Sequence, residues 1–262
     1  MANDYTIASV RKALNVLKQF NSQRKEMTLT ELSVACDIGK SSMLRLLASL
    51  ESEGFVKYNE ETKKYRLGIV IFNLANSAYE FTDIRMVAAP ILKAGAAQSQ
   101  LLIHLAVEED GKVVVIDKVW PSAHFDMIAL ISYVGGTVPI HCTGVGKVLA
   151  AYADNKKFLQ MMKNCDFKKY TENTITDSNT FAQVLQQVRK NGYAFNDCEH
   201  EPYLRCITRP IYDREGKVIA ALSLSGLKDV ITDEKMDYYL TLSSQICQRL
   251  SAEFGYEQLS QY

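Results

Sequence analysis

Thr28-Leu29-Thr30-Glu31-Leu32-Ser33-Val34-Ala35-Cys36, then Asp37-Ile38-Gly39, then Lys40-Ser41-Ser42-Met43-Leu44-Arg45-Leu46-Leu47-Ala48-Ser49-Leu50 reads as two short helices joined by a turn. A turn of this length with Gly in it suits two helices that cross steeply. The second helix is expected to stop at Gly54, a good residue just past a helix end, with Phe55 following. Residues 55–68 then read as a hairpin with a polar tip over 59–64. Val56 and Tyr58 alternate on one strand, and Tyr65 and Leu67 on the other, as in a half-buried ribbon. Helix, turn, helix and ribbon in this order outline a winged helix-turn-helix, which implies a reader of DNA.

The second helix carries the detail. Met43, Leu46, Leu47 and Leu50 recur at helical spacing and form its core face. Ser42, Arg45 and Ser49 lie on the opposite stripe, with Ser41 one turn before Arg45 and Lys40 opening the helix. Short hydroxyls let a helix sit close to the major-groove floor, and Arg can fork onto a guanine edge or a phosphate. A merely solvated face is the competing reading; the turn before and the hairpin after favour DNA. Lys63 and Lys64 at the hairpin tip, with Arg66 beyond, are placed to clamp phosphates, although Glu60 and Glu61 offset part of that charge. Upstream, Val10, Ala13, Leu14 and Leu17 form the expected packing face of a first helix. Arg11, Lys12 and Lys18 lie off it, facing the DNA backbone or water. The candidate DNA contacts are Arg11, Lys40, Ser41, Ser42, Arg45, Ser49, Lys63 and Lys64.

At 262 residues the chain has room for two domains, the second much the larger. The formal net charge of zero hides a split. Residues 1–68 hold 11 Lys and Arg against 8 Asp and Glu, and the remainder 19 against 22. So small a basic excess implies that specific affinity comes from two or more copies on one DNA, hence an oligomer. No stretch approaches the roughly 18 apolar residues that span a bilayer, and the start lacks a signal-peptide layout. A cytoplasmic protein is expected, without membrane contact. Its six cysteines are then expected to be free thiols.

Beyond the ribbon, residues 69–79 are apolar at helical spacing and read as a linker helix that also packs against a partner chain. A helix over 90–98 has Pro90 at its first position. Strands over 101–108 and 112–120 are joined by the hairpin signal Asp110-Gly111, and a further strand covers 125–134. Helices over 146–153, 155–163 and 181–190 follow, then strands over 193–197, 204–212 and 217–225, and a closing helix over 232–254. Hairpins interspersed with helices predict an α+β domain with an antiparallel sheet. The expected layout is a DNA-binding domain over 1–68, a linker helix over 69–82 and a sensor domain over 83–262.

Three features of the second domain converge on one pocket. Pro139-Ile140-His141-Cys142-Thr143-Gly144-Val145-Gly146-Lys147-Val148-Leu149-Ala150 is a Gly-containing loop opening a helix, whose first N–H groups attract carboxylate or phosphate. It is no P-loop, since His141 and Val148 occupy two of that motif's required positions. Ser223 and Ser225, two apart on a strand, point to the same face. Cys206 on the neighbouring strand and Asn196 upstream can face the same space.

Taken in order, these segments resemble the isocitrate-lyase-regulator (IclR) family of bacterial transcription factors over residues 9–254. The matching stretches are Ser9-Val10-Arg11-Lys12-Ala13-Leu14, Lys40 through Leu47, Pro139 through Lys147, Gly192-Tyr193-Ala194-Phe195-Asn196-Asp197-Cys198-Glu199-His200, Leu204-Arg205-Cys206 and Ala220-Ala221-Leu222-Ser223-Leu224-Ser225-Gly226. The resemblance implies a winged helix-turn-helix, a linker helix and a GAF-like effector-binding domain. It implies a homodimer or dimer of dimers on double-stranded operator DNA, controlled by a small organic effector, often a carboxylic acid, with no other cofactor. The effector carboxylate would meet the backbone at Gly144 and Val145; Asn196, Cys206, Ser223 and Ser225 would add polar contacts; Met127, Leu130, Val138 and Leu204 would form the apolar wall. The family commonly has Asp where Asn196 stands, and Asn both donates and accepts without repelling an anion. A different effector from the short keto acids is therefore expected. The family often has Pro where Gly39 stands, which leaves the motif intact.

Two rival readings remain. Cys142, Cys198, His200 and Cys206 are soft ligands near the pocket and suit a metal- or thiol-sensing regulator, though their spacing matches no standard zinc pattern. Cys142 beside His141 superficially suggests a nucleophile and base, but adjacent residues of an extended segment point to opposite faces. No catalytic residue is assigned, and Glu199, His200 and Glu201 are expected to make surface or hinge hydrogen bonds.

Overall fold

The computed structural model describes residues 6–21, 24–77, 79–121 and 132–257, with backbone alone for 75–77 and 79–83. It divides into two compact units, Met1–Thr82 and Asp83–Tyr262. In the first, α1 (Ala8–Leu17), β1 (Glu26–Thr28), α2 (Leu29–Cys36) and α3 (Lys40–Ser52) precede β2 (Val56–Asn59), β3 (Lys64–Leu67) and α4 (Ile69–Ser77). A capping box starts α2: the Glu31 N–H donates to Thr28 Oγ1 at 3.2 Å and the Thr28 N–H to Glu31 Oε2 at 2.7 Å, satisfying two helix-end donors reciprocally. Gly54, at φ +72°, closes α3 with a Schellman motif. Its N–H reaches Glu51 O at 2.9 Å, and the Phe55 N–H reaches Leu50 O at 2.8 Å. The ribbon returns against this helix end so tightly that a Cβ on Gly68 would lie 2.0 Å from Gly54 O.

Met43, Leu47 and Leu50 of α3 are buried with Leu32, Ile38, Val56 and Tyr65. Two details differ from the sequence reading. Val10 and Leu14 are 51% and 52% exposed, while Val16 and Phe20 are buried. This segment has apolar residues on two adjoining stripes, and periodicity does not tell which one meets α2 and α3. The ribbon also gains β1, which pairs with β3 from Glu26↔Arg66 to Thr28↔Lys64. Three residues are too few to show alternation. On α4, Ile69, Phe72 and Leu74 are exposed.

The second unit takes in α5 (Tyr79–Ser99) from Asp83 onward, then β4 (Leu102–Glu109), β5 (Lys112–Val119) and β6 (Thr137–Val138). Then follow α6 (Gly144–Tyr152), α7 (Asn155–Lys163), α8 (Ser178–Asn191), β7 (Ala194–Asp197), β8 (Leu204–Tyr212), β9 (Val218–Leu227) and α9 (Met236–Glu253). The six strands form one antiparallel sheet in the order β6-β5-β4-β9-β8-β7, and the class is α+β. Pro90 does not start a helix but lies inside α5. An interior Pro removes one backbone hydrogen bond and costs about 3 kcal/mol. Buried Ala88, Ile91, Leu92 and Ala96 supply the packing that offsets it. The expected strand over 125–134 falls largely outside the described residues. Its described part, 132–134, runs irregularly to a turn at Gly135 and Gly136, whose backbones bond Val115.

Helix α6 packs on one face of β8 and β9, and α9 packs against the same strands, with the Arg209 Nε–H donating to Ser243 Oγ at 3.0 Å. Removing the α2 cap tests the first unit: Thr28→Ala should lower its stability by about 1 kcal/mol. An unshifted denaturant midpoint for that unit's transition in the full-length chain would contradict the capping role.

Candidate functional site

On the first unit, Lys40, Ser41, Ser42, Arg45 and Ser49 are all exposed along α3, opposite its buried stripe. Ser49 Oγ donates back to Arg45 O at 3.0 Å, so its outward role is as an acceptor. Arg11 is exposed on α1; Lys63 is exposed in the hairpin turn at φ +56°, and Lys64 is half-buried. The sequence reading missed Leu44, 51% exposed beside Arg45, an apolar side chain of the kind that meets a thymine methyl. It also missed Lys57, which pairs with Arg66 across the ribbon and is exposed with it. Alternation marked the ribbon's inner face, and reading the other face would have found Lys57 beside Arg66.

In the second unit, α6 starts directly above the sheet. Thr143 caps it, accepting from the Gly146 N–H at 3.1 Å and donating to Pro139 O at 2.6 Å. The N–H groups of Gly144 and Val145, at the first two positions, have no acceptor within the helix. A Cβ on Gly144 would lie 2.0 Å from Thr208 Oγ1, and one on Gly146 2.4 Å from Ile140 O. Gly144 lets the positive end of the helix rest on β8, and Gly146 lets the preceding loop fold back against it.

A cavity of about 610 Å³ opens beside this helix end. Gly144, Val145, Asn196, Cys206, Ser223, Ser225, Val138 and Leu204 all line it; Met127 and Leu130 lie outside the described residues. The sheet register explains the convergence. Cys206 opposes Asn196 on one side and Ser225 on the other, while Ser223 lies between Thr208 and His104, so all of these side chains share the α6 face. Ser223 and Ser225 are each 3% exposed, with hydroxyl oxygens 3.2 Å apart.

His104, unremarked in the sequence, completes the floor. Its Nδ1 lies 3.3 Å from Ser225 Oγ and its Nε2 3.1 Å from Ser132 Oγ. Burial first, and the Lys118 charge second, push its pKa down to about 3, so the imidazole is neutral. A lone His in a strand carries no local signal, and only the register brings it to Ser225.

Asn196, which lines the cavity, also has backbone partners. Its Nδ2 donates to Cys142 O at 2.5 Å and its Oδ1 accepts the Glu199 N–H at 3.2 Å, so the amide clamps backbone around the pocket. Glu199 is not a surface residue. It is 8% exposed and accepts from Lys147 Nζ at 2.5 Å, and that ammonium also donates to Phe195 O at 2.7 Å. Lys147, 1% exposed, is the one buried Lys among the described residues and fixes α6 to β7.

His141 is turned to Lys168 O at 3.0 Å and Cys165 Sγ at 3.5 Å. Burial pushes the Cys142 thiol up to about 12 and also raises Cys198 and Cys206, the last against the pull of the Ser225 and Ser223 hydroxyls. Protonated thiols are poor nucleophiles and poor metal ligands. Among the described residues no three His, Cys, Asp or Glu side chains form a metal-binding group, and no helix is long and apolar enough to cross a membrane.

Residues 9–60 match the IclR helix-turn-helix domain, and residues 76–252 match the domain described as bacterial transcriptional regulator IclR C-terminal. The chain is 31% identical over 251 residues to the HTH-type transcriptional regulator KdgR of Escherichia coli K12, covering 96% of this chain and 94% of that one. A solved IclR transcriptional regulator from Alicyclobacillus acidocaldarius aligns with a TM-score of 0.76 at 28% identity, over 96% of this chain and 100% of that one. An IclR homologue from Microbacterium hydrocarbonoxydans, solved in complex with 4-hydroxybenzoate, shares the fold with a TM-score of 0.78 at 22% identity, over 94% and 100%. The chain belongs to the IclR family of bacterial transcriptional regulators. It is a DNA-binding regulator with a small-molecule effector.

Two outcomes test this geometry. Lys147→Ala leaves the Glu199 carboxylate buried and unpaired and should cost about 3–5 kcal/mol, whereas Glu199→Gln should cost less; equal losses on thermal or chemical unfolding would refute the pairing. His104, neutral when folded, binds a proton in the unfolded chain below its ordinary 6.5 and resists one when folded down to about 3. Its contribution to stability is therefore full above pH 6.5 and is lost as pH falls through that window. His104→Asn should flatten the melting temperature against pH there, and an unchanged acid slope counts against it.

Proposed function

We propose that this member of the family binds operator DNA as a homodimer or dimer of dimers. In this reading α3 enters the major groove and the β2–β3 ribbon follows the backbone. A small organic acid in the cavity beside α6 controls that binding. The observation that carries the effector reading is the pair of buried hydroxyls, Ser223 and Ser225, facing the same 610 Å³ cavity as the first N–H groups of α6. Helix-end N–H groups and hydroxyls hold a carboxylate without any cation. The volume falls in the range of drug-sized ligand sites, larger than a two- or three-carbon keto acid fills, and a ring-bearing acid occupies one structural relative. Asn196 supports the same preference indirectly: an Asp could accept from Glu199 but could not donate to Cys142 O, so the pocket edge is held differently here.

The acid would bridge α6 to the sheet and stiffen both. Strain passing through the linker helix would then change the spacing of two recognition helices, a coupling typically worth about 1–3 kcal/mol. The exposed Ile69, Phe72 and Leu74 provide apolar surface for a second copy. As a regulator of DNA, the protein works in the cytoplasm and carries out no catalysis.

A thermal-shift screen with organic, aromatic and sugar acids tests the reading, alongside operator gel shifts. One class should raise the melting temperature by several degrees, and Ser223→Ala should abolish that shift while ligand-free operator binding persists. Arg45→Ala should abolish specific operator binding and keep the acid-induced shift. Loss of both properties in either variant would overturn the two-site picture.

A further inference from the structure

The cavity has a second polar region away from Ser223 and Ser225. Glu201, His200 and Tyr170 line it beyond the start of β8, and Asp166 and Asn164 line its mouth. The Leu204 N–H donates to Glu201 O at 3.3 Å, so Glu201 stands one turn before Leu204. Leu204 in turn lies two residues, roughly 7 Å, along the strand from Cys206. Glu201 is half-buried; its Oε2 accepts the Tyr203 hydroxyl at 2.9 Å, and its Oε1 lies 3.8 Å from His200 Nδ1. The His200 ring lies 4.6 Å from that of Tyr170, tilted by 54°.

The charges are unusual for a site that takes anions. Among the described lining residues the formally charged side chains are Lys112, Asp166 and Glu201. Lys112 and Asp166 are exposed and screened by water. His104 and His200 are both shifted by burial toward the neutral form. Lys118, outside the lining, is lowered by burial first, against the pull of Glu201; its Nζ donates to Ser132 O at 2.9 Å and lies over the Trp120 ring, so it offsets only part of the Glu201 charge. One end of the cavity thus offers donors to an anion, and the other offers a half-buried carboxylate.

We infer that Glu201 is a specificity-determining residue that confines the pocket to acids with a single carboxylate whose far end carries hydrogen-bond donors, hydroxyls above all. The inference rests on the acid-binding reading of the same cavity. With the carboxylate at α6 and the serines, a hydroxyl at the far end donates to Glu201 and accepts from Tyr170. A second carboxylate there meets a like charge against a partly dry wall. At separations of several ångströms this repulsion costs about tenfold or more in affinity.

Gluconate and glucarate test this, since they share a hydroxylated six-carbon chain and differ by one carboxylate; hexanoate is the hydroxyl-free control. Titration calorimetry on the full-length protein should give gluconate an advantage over glucarate of at least about tenfold, with hexanoate weaker than gluconate. Glu201→Gln should shrink the gluconate-to-glucarate ratio several-fold by improving glucarate, and Asp166→Asn should change it little. Glucarate binding as well as gluconate, a ratio unmoved by Glu201→Gln, or hexanoate binding better than gluconate would each overturn the inference. In those cases Ser223-dependent binding of any acid leaves the acid pocket standing. If no acid binds in a Ser223-dependent way, the acid pocket falls and the inference with it.

Discussion

The sensor unit depends on how closely α6 approaches β8. Gly144 sits on Thr208 and Gly146 on Ile140 at distances that exclude any Cβ. That contact aims the helix end at the serines of β9 and draws Lys147 inward to Phe195 O and Glu199. It also has a cost, because Thr208 Oγ1 and Glu199 Oε2 are buried without partners, and unsatisfied groups of this kind are expensive. A buried ion pair is weak evidence for stability in itself. Here it acts as a positional lock, joining α6 to the segment that carries Glu199 and Glu201.

In the acid-binding reading proposed above, the pocket that follows from that seating would attract an anion through dipoles more than through charge. Helix N–H groups and serine hydroxyls would provide the positive potential, with His104 neutral between Ser225 and Ser132. Dipoles held in place by the sheet need little reorganisation when a carboxylate arrives. The half-buried Glu201 gives the cavity a direction, with an acceptor for donors opposite the donors for an anion. The nearby thiols, raised by burial, contribute shape and weak polarity rather than reactivity.

The DNA-reading unit uses simpler means. Capping box, left-handed Asp37, Schellman turn and the Gly54–Gly68 contact fix α3 between two sharp stops, so its outer stripe is presented as a rigid row. Leu44 among Ser41, Ser42 and Arg45 adds an apolar element to that row, and Lys57 with Arg66 extends the basic face of the ribbon.

Local chemistry made much of this legible without coordinates. The Asp37-Ile38-Gly39 turn, the alternation in the ribbon and the Asp110-Gly111 hairpin are signals between near neighbours, where backbone preference and side-chain period decide. Ser223 and Ser225 shared a face by the two-residue period alone, and the family motifs around Gly144 and Cys206 placed those residues at one pocket. The packed stripe of α1, the strand β1, the interior Pro90, the clamp made by Asn196 and the burial of Glu199 were not legible in that way. Nor was His104, which is 121 positions from Ser225. Each depends on which distant segment arrives at a given face: sequence period fixes where a side chain points, whereas only the folded register decides what it meets.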